Sequence, residues 1–267
     1  MQKIQGMGGG VIMHFCSIVP SRFIGDLDKT STWHLVLPHM VRKDVLYKGG
    51  YQLLKAKGST LILDNGYFEM KTNRLSKSDG VTELLEVSDI INPDYICIPD
   101  TFYNPQIEED LDKLIAPMSK HIKKMAVVAA NDGLDAIRMF DLLNNRKDID
   151  MIAVPDRLLS INTGLTIAEF LDVVENHVDI KKPVHLFALD NPATLGDLIR
   201  PYVNSIDSTA PFLWGLDYRK ITNTEVISKR PNDYFDINEV TKSQRQQIEW
   251  NINYLKEFCE KQTRLVK

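Results

Sequence analysis

The stretch Thr60-Leu-Ile-Leu-Asp-Asn-Gly-Tyr-Phe-Glu69 joins a short apolar run to a group of polar and aromatic residues. Consecutive apolar residues without polar alternation are typical of a strand that is covered on both faces, as in a parallel sheet. Asn65-Gly66 predicts a turn directly after the strand, because glycine tolerates positive φ. Asp64 is therefore expected at the carboxyl end of a buried strand. The alternative is that Asp64 only caps the next helix, since aspartate is an ordinary capping residue.

Further apolar runs recur along the chain, with helical patterns mostly between them. With residues 60–63, the predicted strands are residues 11–19, 34–37, 95–98, 125–130, 151–154, 184–189 and 205–206. Helices are predicted for residues 44–57, 78–92, 105–115, 134–144, 166–178 and 193–202, with a long terminal helix over about 241–264. Strict βα alternation gives a doubly wound sheet or a barrel, and a count of eight strands favours the barrel. We predict an α/β fold: a single (β/α)8 barrel of the TIM type, residues 13–267, with a long C-terminal helix.

The composition is that of an ordinary soluble protein, with 43% hydrophobic and 25% charged residues and no apolar run long enough to cross a bilayer. Residues 1–12 contain one lysine and no apolar core, which predicts a flexible leader and not a signal peptide. We therefore expect a cytoplasmic protein. Cys16, Cys97 and Cys259 lie far apart, which argues against a disulfide framework and against a Cys-x-x-Cys metal site.

Acidic and amide residues follow most of the predicted strands, and in a barrel such residues converge on the face that holds the active site. They are Asp64-Asn65, Asp100, Asn131-Asp132, Asp156-Arg157, Asp190-Asn191 and Asp207-Ser208. A ring of carboxylates can bind a metal, perform acid–base chemistry or carry out covalent glycosyl transfer. The metal interpretation is weak, because the six histidines occur singly and barrel metallohydrolases usually pair two on one strand. Glycosyl transfer needs one carboxylate as nucleophile and a second as acid–base partner.

Four motifs, taken in order, resemble those of the guanine transglycosylases. They are Leu63-Asp-Asn-Gly-Tyr-Phe-Glu69, Ile98-Pro-Asp100, His185-Leu-Phe-Ala-Leu-Asp-Asn-Pro192 and Ser205-Ile-Asp-Ser208. The members of this family are barrel enzymes that exchange a guanine for a 7-deazaguanine through a covalent glycosyl–aspartate intermediate. The resemblance covers residues 13–212 and depends on the order of the motifs more than on any one of them.

The resemblance implies a role for three of the strand-end acids. Asp207 matches the nucleophilic aspartate, and Asp64 matches the aspartate that handles protons during the exchange. Asp100 matches the acid that hydrogen-bonds the edge of the base. No cofactor and no metal are implied for this chain.

Other strand-end residues are expected to hold the base. Phe68 and Phe187 match positions where the family places the base between an aromatic and an apolar side chain, and stacking of this kind suits a base that has left its helix. Asn131 lies near the family's base-reading glutamine, within one residue of register. Asn65 and Asp156 follow strands of the same set and are expected to line the same site.

One departure from the family concerns the nucleic acid. The tRNA-modifying members carry a Cys-x-Cys-x-x-Cys motif and a distant histidine that bind zinc, and this chain has no such cluster. The resemblance therefore favours the shorter DNA transglycosylases of phage and bacterial deazaguanine systems. These act on deoxyguanosine in DNA, and a phage enzyme would work in the host cytoplasm. The expected activity is replacement of guanine in single-stranded or locally opened DNA by a 7-deazaguanine, such as the cyano form preQ0 or the aminomethyl form.

Two alternatives remain open on the sequence. One is a tRNA-directed transglycosylase that works without zinc. The other is an inactive barrel that serves as a nucleic-acid-binding or partner subunit. Asp64 and Asp207 argue against an inactive subunit, since a binding module has no need of two strand-end acids that repel phosphate.

The net charge of −4 and a pI near 5.9 conflict with a polyanionic substrate. DNA binding then requires basic residues on the same face as the acids. Arg157 follows a predicted strand end, and Arg219-Lys220 and Lys229-Arg230 follow Asp207, so we expect these residues to rim that face. The cluster of residues 120–124 leads into a strand, which places it at the opposite end of the barrel.

Overall fold

Eight parallel strands form one nearly closed barrel in the computed structural model, which describes residues 12–27, 31–67, 80–189, 192–221 and 230–262. The strands are β1 His14–Ser17, β2 Trp33–Val36, β3 Thr60–Leu63, β4 Tyr95–Cys97, β5 Lys123–Val127, β6 Met151–Pro155, β7 Val184–Phe187 and β8 Val203–Ser208. Their hydrogen-bonded order is β1-β8-β7-β6-β5-β4-β3-β2, and every described pairing is parallel. The predicted (β/α)8 fold is confirmed.

Helices alternate with the strands around the outside of the barrel. The described α-helices are α1 Pro38–Lys43, α2 Val45–Ala56, α3 Gly80–Ile91, α4 Ile107–Ile115, α5 Gly133–Asn145, α6 Asp156–Thr163, α7 Ile167–His177, α8 Ala210–Leu216 and α9 Lys242–Gln262. Short 3-10 turns lie at Ser21–Phe23, Pro192–Leu198 and Tyr234–Asp236. The long helix α9 packs against α8 and β1, as expected for a terminal helix on the outside.

The seam between β1 and β2 closes the barrel through side chains. These two strands are the ends of the hydrogen-bonded order, and they lie side by side. The His14 imidazole stacks on the Trp33 ring with centroids 4.4 Å apart. The Ser31 hydroxyl donates to the Phe15 carbonyl at 2.8 Å.

Both faces of the sheet are buried, which explains the apolar runs in the sequence. Residues facing outward pack against the helices in one apolar cluster that includes Val36, Leu61, Leu63, Ile96, Ile152, Val154, Leu186 and Ile206. Residues facing the barrel interior belong to a second cluster that includes Cys16, Leu35, Ile62, Cys97, Met125 and Ala153. Because paired residues in a parallel sheet share a face, Asp207 points inward beside Cys16, and Ser205 points inward beside His14 and His185.

Several local predictions are confirmed and others are wrong. The capping box of Thr166 and Glu169 is present, and Gly58 ends α2 with a φ of +89°. Gly66 has a φ of +69°, so the turn after β3 is as expected. The helix predicted over residues 193–202 is instead the 3-10 turn Pro192–Leu198.

Three short helices were not predicted. They are α1, α6 and α8, each beginning within two residues of a strand end and too short for a clear helical period. Part of the sequence-based prediction lies outside the described residues, namely residues 1–11 of the expected leader, the first two residues of the predicted helix 78–92 and the end of the terminal helix.

The close crossing of α8 and α9 predicts that adding a side chain at Gly215 destabilises the protein. A Cβ at this position would lie 2.3 Å from Ile248 Cγ1 and 2.8 Å from the Ile248 backbone, so the helices must separate to admit it. We expect Gly215→Ala to lower the free energy of unfolding by about 1–3 kcal/mol, measured by urea denaturation.

Gly49→Ala is the matched control, because a Cβ at this exposed position in α2 meets nothing within 4 Å. It should stabilise the protein by about 0.5–1 kcal/mol, since alanine is the better helix former. Equal effects of the two substitutions would contradict the close helix crossing.

Candidate active site at the carboxyl ends of the strands

Asp207 is a buried carboxylate at the inner face of β8, with an exposed fraction of 1%. Its Oδ1 lies 3.1 Å from His185 Nε2 and accepts a hydrogen bond from the Ala188 backbone N–H at 2.9 Å. The other ring nitrogen of His185, Nδ1, lies 2.8 Å from the Ser205 hydroxyl. One oxygen of Asp207 is thus fixed by two contacts. Its Oδ2 has no hydrogen-bond partner within the part of the chain that the structure describes.

Local backbone geometry produces this arrangement. His185 and Ser205 are register partners on neighbouring strands, which brings the imidazole and the hydroxyl together. Directly after β7, Ala188 has a φ of +53°, in the left-handed region that residues other than glycine seldom adopt. This conformation turns the Ala188 N–H back towards Asp207. Strained backbone of this kind is often found at functional sites.

A second polar cluster joins the ends of β3 and β4. The Asn65 amide nitrogen donates to Asp100 Oδ1 at 2.6 Å and to the Ile98 carbonyl at 2.9 Å. The Asn65 side-chain oxygen accepts from the Tyr67 N–H at 2.9 Å. Asp64 follows β3, as predicted, and its Oδ2 accepts from the Gly66 N–H at 3.3 Å. Both ends of the Asn65 amide are engaged within the protein, so this residue links the ends of β3 and β4 and helps to position Asp100.

Asp64 and Asp100 both influence the pKa of one buried thiol, Cys97. Burial raises the pKa of Cys97 well above its usual value, and the negative charges of Asp64 and Asp100 raise it further, while a hydrogen bond from Asn65 offsets part of the effect. Burial and the charge of Asp100 also raise the pKa of Tyr67. Cys97 is therefore a neutral thiol with little nucleophilic character. Tyr67 is a neutral phenol that can donate a hydrogen bond at neutral pH.

The remaining residues predicted to bind the base fall into different surroundings. Phe187 ends β7, and its ring lies 4.7 Å from the His185 ring in an edge-to-face arrangement, next to the partner of Asp207. Asn131 follows the end of β5 and is exposed. Asp156 is the first residue of α6 and is half-buried. Phe68 lies outside the described residues.

The predicted DNA-binding residues do not share one surface. Arg157 is exposed in the first turn of α6, directly after the carboxyl end of β6. The Arg230 guanidinium lies 5.1 Å from the centre of the Phe235 ring. That ring contacts His39 and Tyr47, in the two helices that follow β2, so Arg230 lies on the side of the strand carboxyl ends. Lys229 is outside the described residues.

Arg219 and Lys220 lie elsewhere. They follow the C-terminal end of α8 and lie beside α9, with the Lys220 ammonium 4.9 Å from the centre of the Trp250 ring. These contacts beside α9 do not support the expectation that Arg219 and Lys220 rim the strand-end face. Lys124 is buried near the start of β5, at the opposite end of the barrel, as predicted for this basic cluster.

Sequence reasoning missed His185, Ser205 and Ala188 as partners of Asp207. The signal at His185 was a single polar residue at an inward-facing position of an otherwise apolar strand, whereas Ser205 lies among other polar residues of β8. Using it requires the pairing register of β7 and β8, which the sequence does not contain. The role of Ala188 depends on a backbone angle with no sequence signature.

Within the described ranges, no three His, Cys, Asp or Glu side chains are grouped as a metal site would require. No helix in those ranges has the length and apolar character needed to cross a membrane.

No model of a known protein family matches the chain, and no curated protein matches it. The likeness to guanine transglycosylases therefore depends on the four motifs.

The bond between Asn65 and Asp100 predicts a structural cost of removing the amide. Asn65→Ala leaves the Ile98 carbonyl and Asp100 without their donor, so we expect the free energy of unfolding to fall by about 1–3 kcal/mol. Asn131→Ala is the control, because that side chain is exposed, and its effect should stay within about 0.5 kcal/mol. Urea denaturation measures both, and an Asn65 variant as stable as the Asn131 variant would contradict the positioning role.

Proposed function

We propose that this protein exchanges guanine in DNA for a 7-deazaguanine through a covalent bond between Asp207 and the deoxyribose. The observation that carries the proposal is the Asp207 carboxylate, which faces the barrel interior with Oδ1 fixed by two contacts and with no hydrogen bond from any described residue to Oδ2. A fixed carboxylate with one uncommitted oxygen suits nucleophilic attack, since orientation is supplied before the reaction. Asp64 and Asp100 follow β3 and β4 at the same end of the barrel and are the proposed source of the second carboxyl function that such an exchange needs.

The proposed reaction has two balanced halves. In the first, Asp207 Oδ2 attacks C1′ of the deoxyribose, the C1′–N9 bond breaks, and guanine leaves with the electron pair and takes up a proton. In the second, N9 of the incoming 7-deazaguanine attacks C1′, loses its proton, and the C1′–Oδ2 bond breaks to restore the carboxylate. Asp64 is the proposed proton carrier in both halves.

Asp100, held by Asn65 and close to the Tyr67 phenol, is the proposed group that reads the base edge. Phe187, which lies beside His185, is the proposed stacking surface. A base must leave its helix to reach these groups, so single-stranded or locally opened DNA should react better than intact duplex.

DNA is favoured over tRNA because the chain lacks the zinc-binding cysteine motif of the tRNA-modifying enzymes. The test is to express the protein in cells supplied with a 7-deazaguanine, digest total nucleic acid and identify the modified nucleoside. Modified deoxyribonucleoside supports the proposal. Modified ribonucleoside alone would favour the tRNA-directed alternative, and neither product would favour an inactive barrel.

We expect Asp207→Asn to abolish exchange and the covalent adduct, because an amide oxygen is too weak a nucleophile to attack C1′. Asp64→Asn should still form some adduct but lose turnover by ~10²–10⁴-fold, with a flatter pH profile, since it removes proton transfer and leaves the nucleophile in place. Denaturing gel electrophoresis of the protein with a guanine-containing single-stranded oligonucleotide detects the adduct.

Asp132→Asn is the matched control for these variants. Asp132 also follows a strand, but its carboxylate caps α5 by accepting from the Asp135 N–H, and asparagine caps a helix equally well. Exchange should therefore be unchanged in this variant. Turnover of Asp207→Asn within a few-fold of the control would refute the nucleophile assignment.

The position of Arg230 predicts a local electrostatic contribution to DNA binding. Arg230→Glu should weaken the binding of a single-stranded oligonucleotide and make the logarithmic salt dependence shallower by about one unit. Lys120→Glu, an exposed reversal at the other end of the barrel, is the control and should do little. Arg219→Glu should resemble the control, given its position beside α9. Equal salt slopes for Arg230→Glu and Lys120→Glu would argue against DNA binding at the strand-end face.

A further inference from the structure

His185 is a fully buried histidine whose two ring nitrogens both have polar partners. Its exposed fraction is 0%, and Ser205 and Asp207 are buried with it. The distances are 3.1 Å from Nε2 to Asp207 Oδ1 and 2.8 Å from Nδ1 to Ser205 Oγ. Burying three polar side chains in the interior of a barrel costs free energy unless hydrogen bonds are made, and here both His185 nitrogens, the Ser205 hydroxyl and Asp207 Oδ1 have partners.

The direction of these bonds follows from the chemistry of the acceptor. A carboxylate oxygen only accepts, so a hydrogen bond to Asp207 Oδ1 requires the proton on His185 Nε2. The Ser205 hydroxyl can donate to Nδ1 of a neutral ring or accept from Nδ1–H of a charged one, so it holds the ring in either state. His185 is in both cases a donor to Oδ1, and the Ala188 N–H is the second donor to the same oxygen.

We infer that His185 is a positioning residue that controls how fast the covalent adduct on Asp207 breaks down, an inference that rests on the function proposed above. When Oδ2 bonds to C1′, Oδ1 changes from a carboxylate oxygen to the carbonyl oxygen of a neutral ester. Hydrogen bonds to an ionised acceptor are roughly twice as strong as those to a neutral one. The donor on His185 therefore stabilises the free carboxylate more than the ester.

This difference in stabilisation affects the second half of the exchange. As N9 of the incoming base attacks C1′ and the C1′–Oδ2 bond breaks, the electron pair returns to Asp207, where His185 and Ala188 already donate to Oδ1. The negative charge that develops on the leaving carboxylate is stabilised by donors that are already in place and need not reorganise. Without the histidine donor, breakdown slows and adduct accumulates, while Oδ2 keeps its ability to attack.

The experiment separates the two halves in the full-length protein. Adduct formation is followed with a single-stranded deoxyguanosine oligonucleotide, and its breakdown is then started by adding 7-aminomethyl-7-deazaguanine. We expect His185→Leu to slow breakdown about tenfold and to change the rate of adduct formation by less than about threefold. His185→Gln, whose amide N–H can replace the Nε2–H donor, should restore most of the breakdown rate.

Ser205→Ala provides a second variant in which the histidine remains but its ring loses its orienting partner. It should slow breakdown in the same direction and by a smaller factor, and thermal denaturation checks that each variant is folded. If His185→Leu does not fold, the other variants carry the test. Adduct breakdown should then be fastest in the wild type, slower in His185→Gln and slowest in Ser205→Ala.

Equal slowing of both half-reactions by His185→Leu, without rescue by His185→Gln, would overturn the inference, because a purely structural role predicts that result. If His185→Leu forms the adduct and breaks it down at the wild-type rates, the inference is overturned while the proposed function stands. Absence of any Asp207-dependent adduct in the wild type would overturn the proposed function, and the inference with it.

Discussion

The parallel pairing of neighbouring strands is the constraint on which the rest of the molecule depends. Because every described pairing in the sheet is parallel, all eight carboxyl ends open on the same side. The same register decides which side chains face the interior, so His185, Ser205 and Asp207 meet there although His185 and Ser205 are 20 positions apart in the sequence. A slip of one residue in the pairing of β7 and β8 would turn these groups towards the helices and dismantle the site.

The strand-end carboxylates differ in the groups that hydrogen-bond to them. Asp207 lies in the barrel interior with two donors on one oxygen, whereas Asp100 is tied to the neighbouring strand end by the Asn65 amide. Asp132 is a helix cap with no part in either cluster. Carboxylates that look alike in the sequence therefore differ in solvation and in hydrogen bonding, which is how one protein can give unlike tasks to chemically identical groups.

The fold and the strand-end positions of the acids could be predicted from the sequence, but the hydrogen-bond partners of those acids could not. Each of the eight strands overlaps a predicted one, and the clearest of these predictions came from burial on both faces, which leaves an unbroken apolar run such as residues 60–63. The helix α8 was not predictable from its seven residues, so the packing of Lys220 against Trp250 of α9 could not be predicted either. The pairing of His185 with Asp207 is a long-range contact that depends on register. Asn65 was expected to bind the base, and only its hydrogen-bond partners identify it as a link between two strand ends.

The side-chain seam between β1 and β2 gives the barrel a response to acid. Burial lowers the pKa of His14 from its usual 6.5, and the nearby charge of Glu260 opposes that shift in part. The folded state thus prefers the neutral imidazole that stacks on Trp33, while the unfolded chain takes up a proton more readily. The contribution of this ring to stability is complete above pH 6.5 and declines as the pH falls below it. Acid therefore lowers the free energy of unfolding through a ring at the junction that, among the described residues, is closed by side chains and not by a backbone ladder. The same strand, β1, is the immediate neighbour of β8, which carries Asp207.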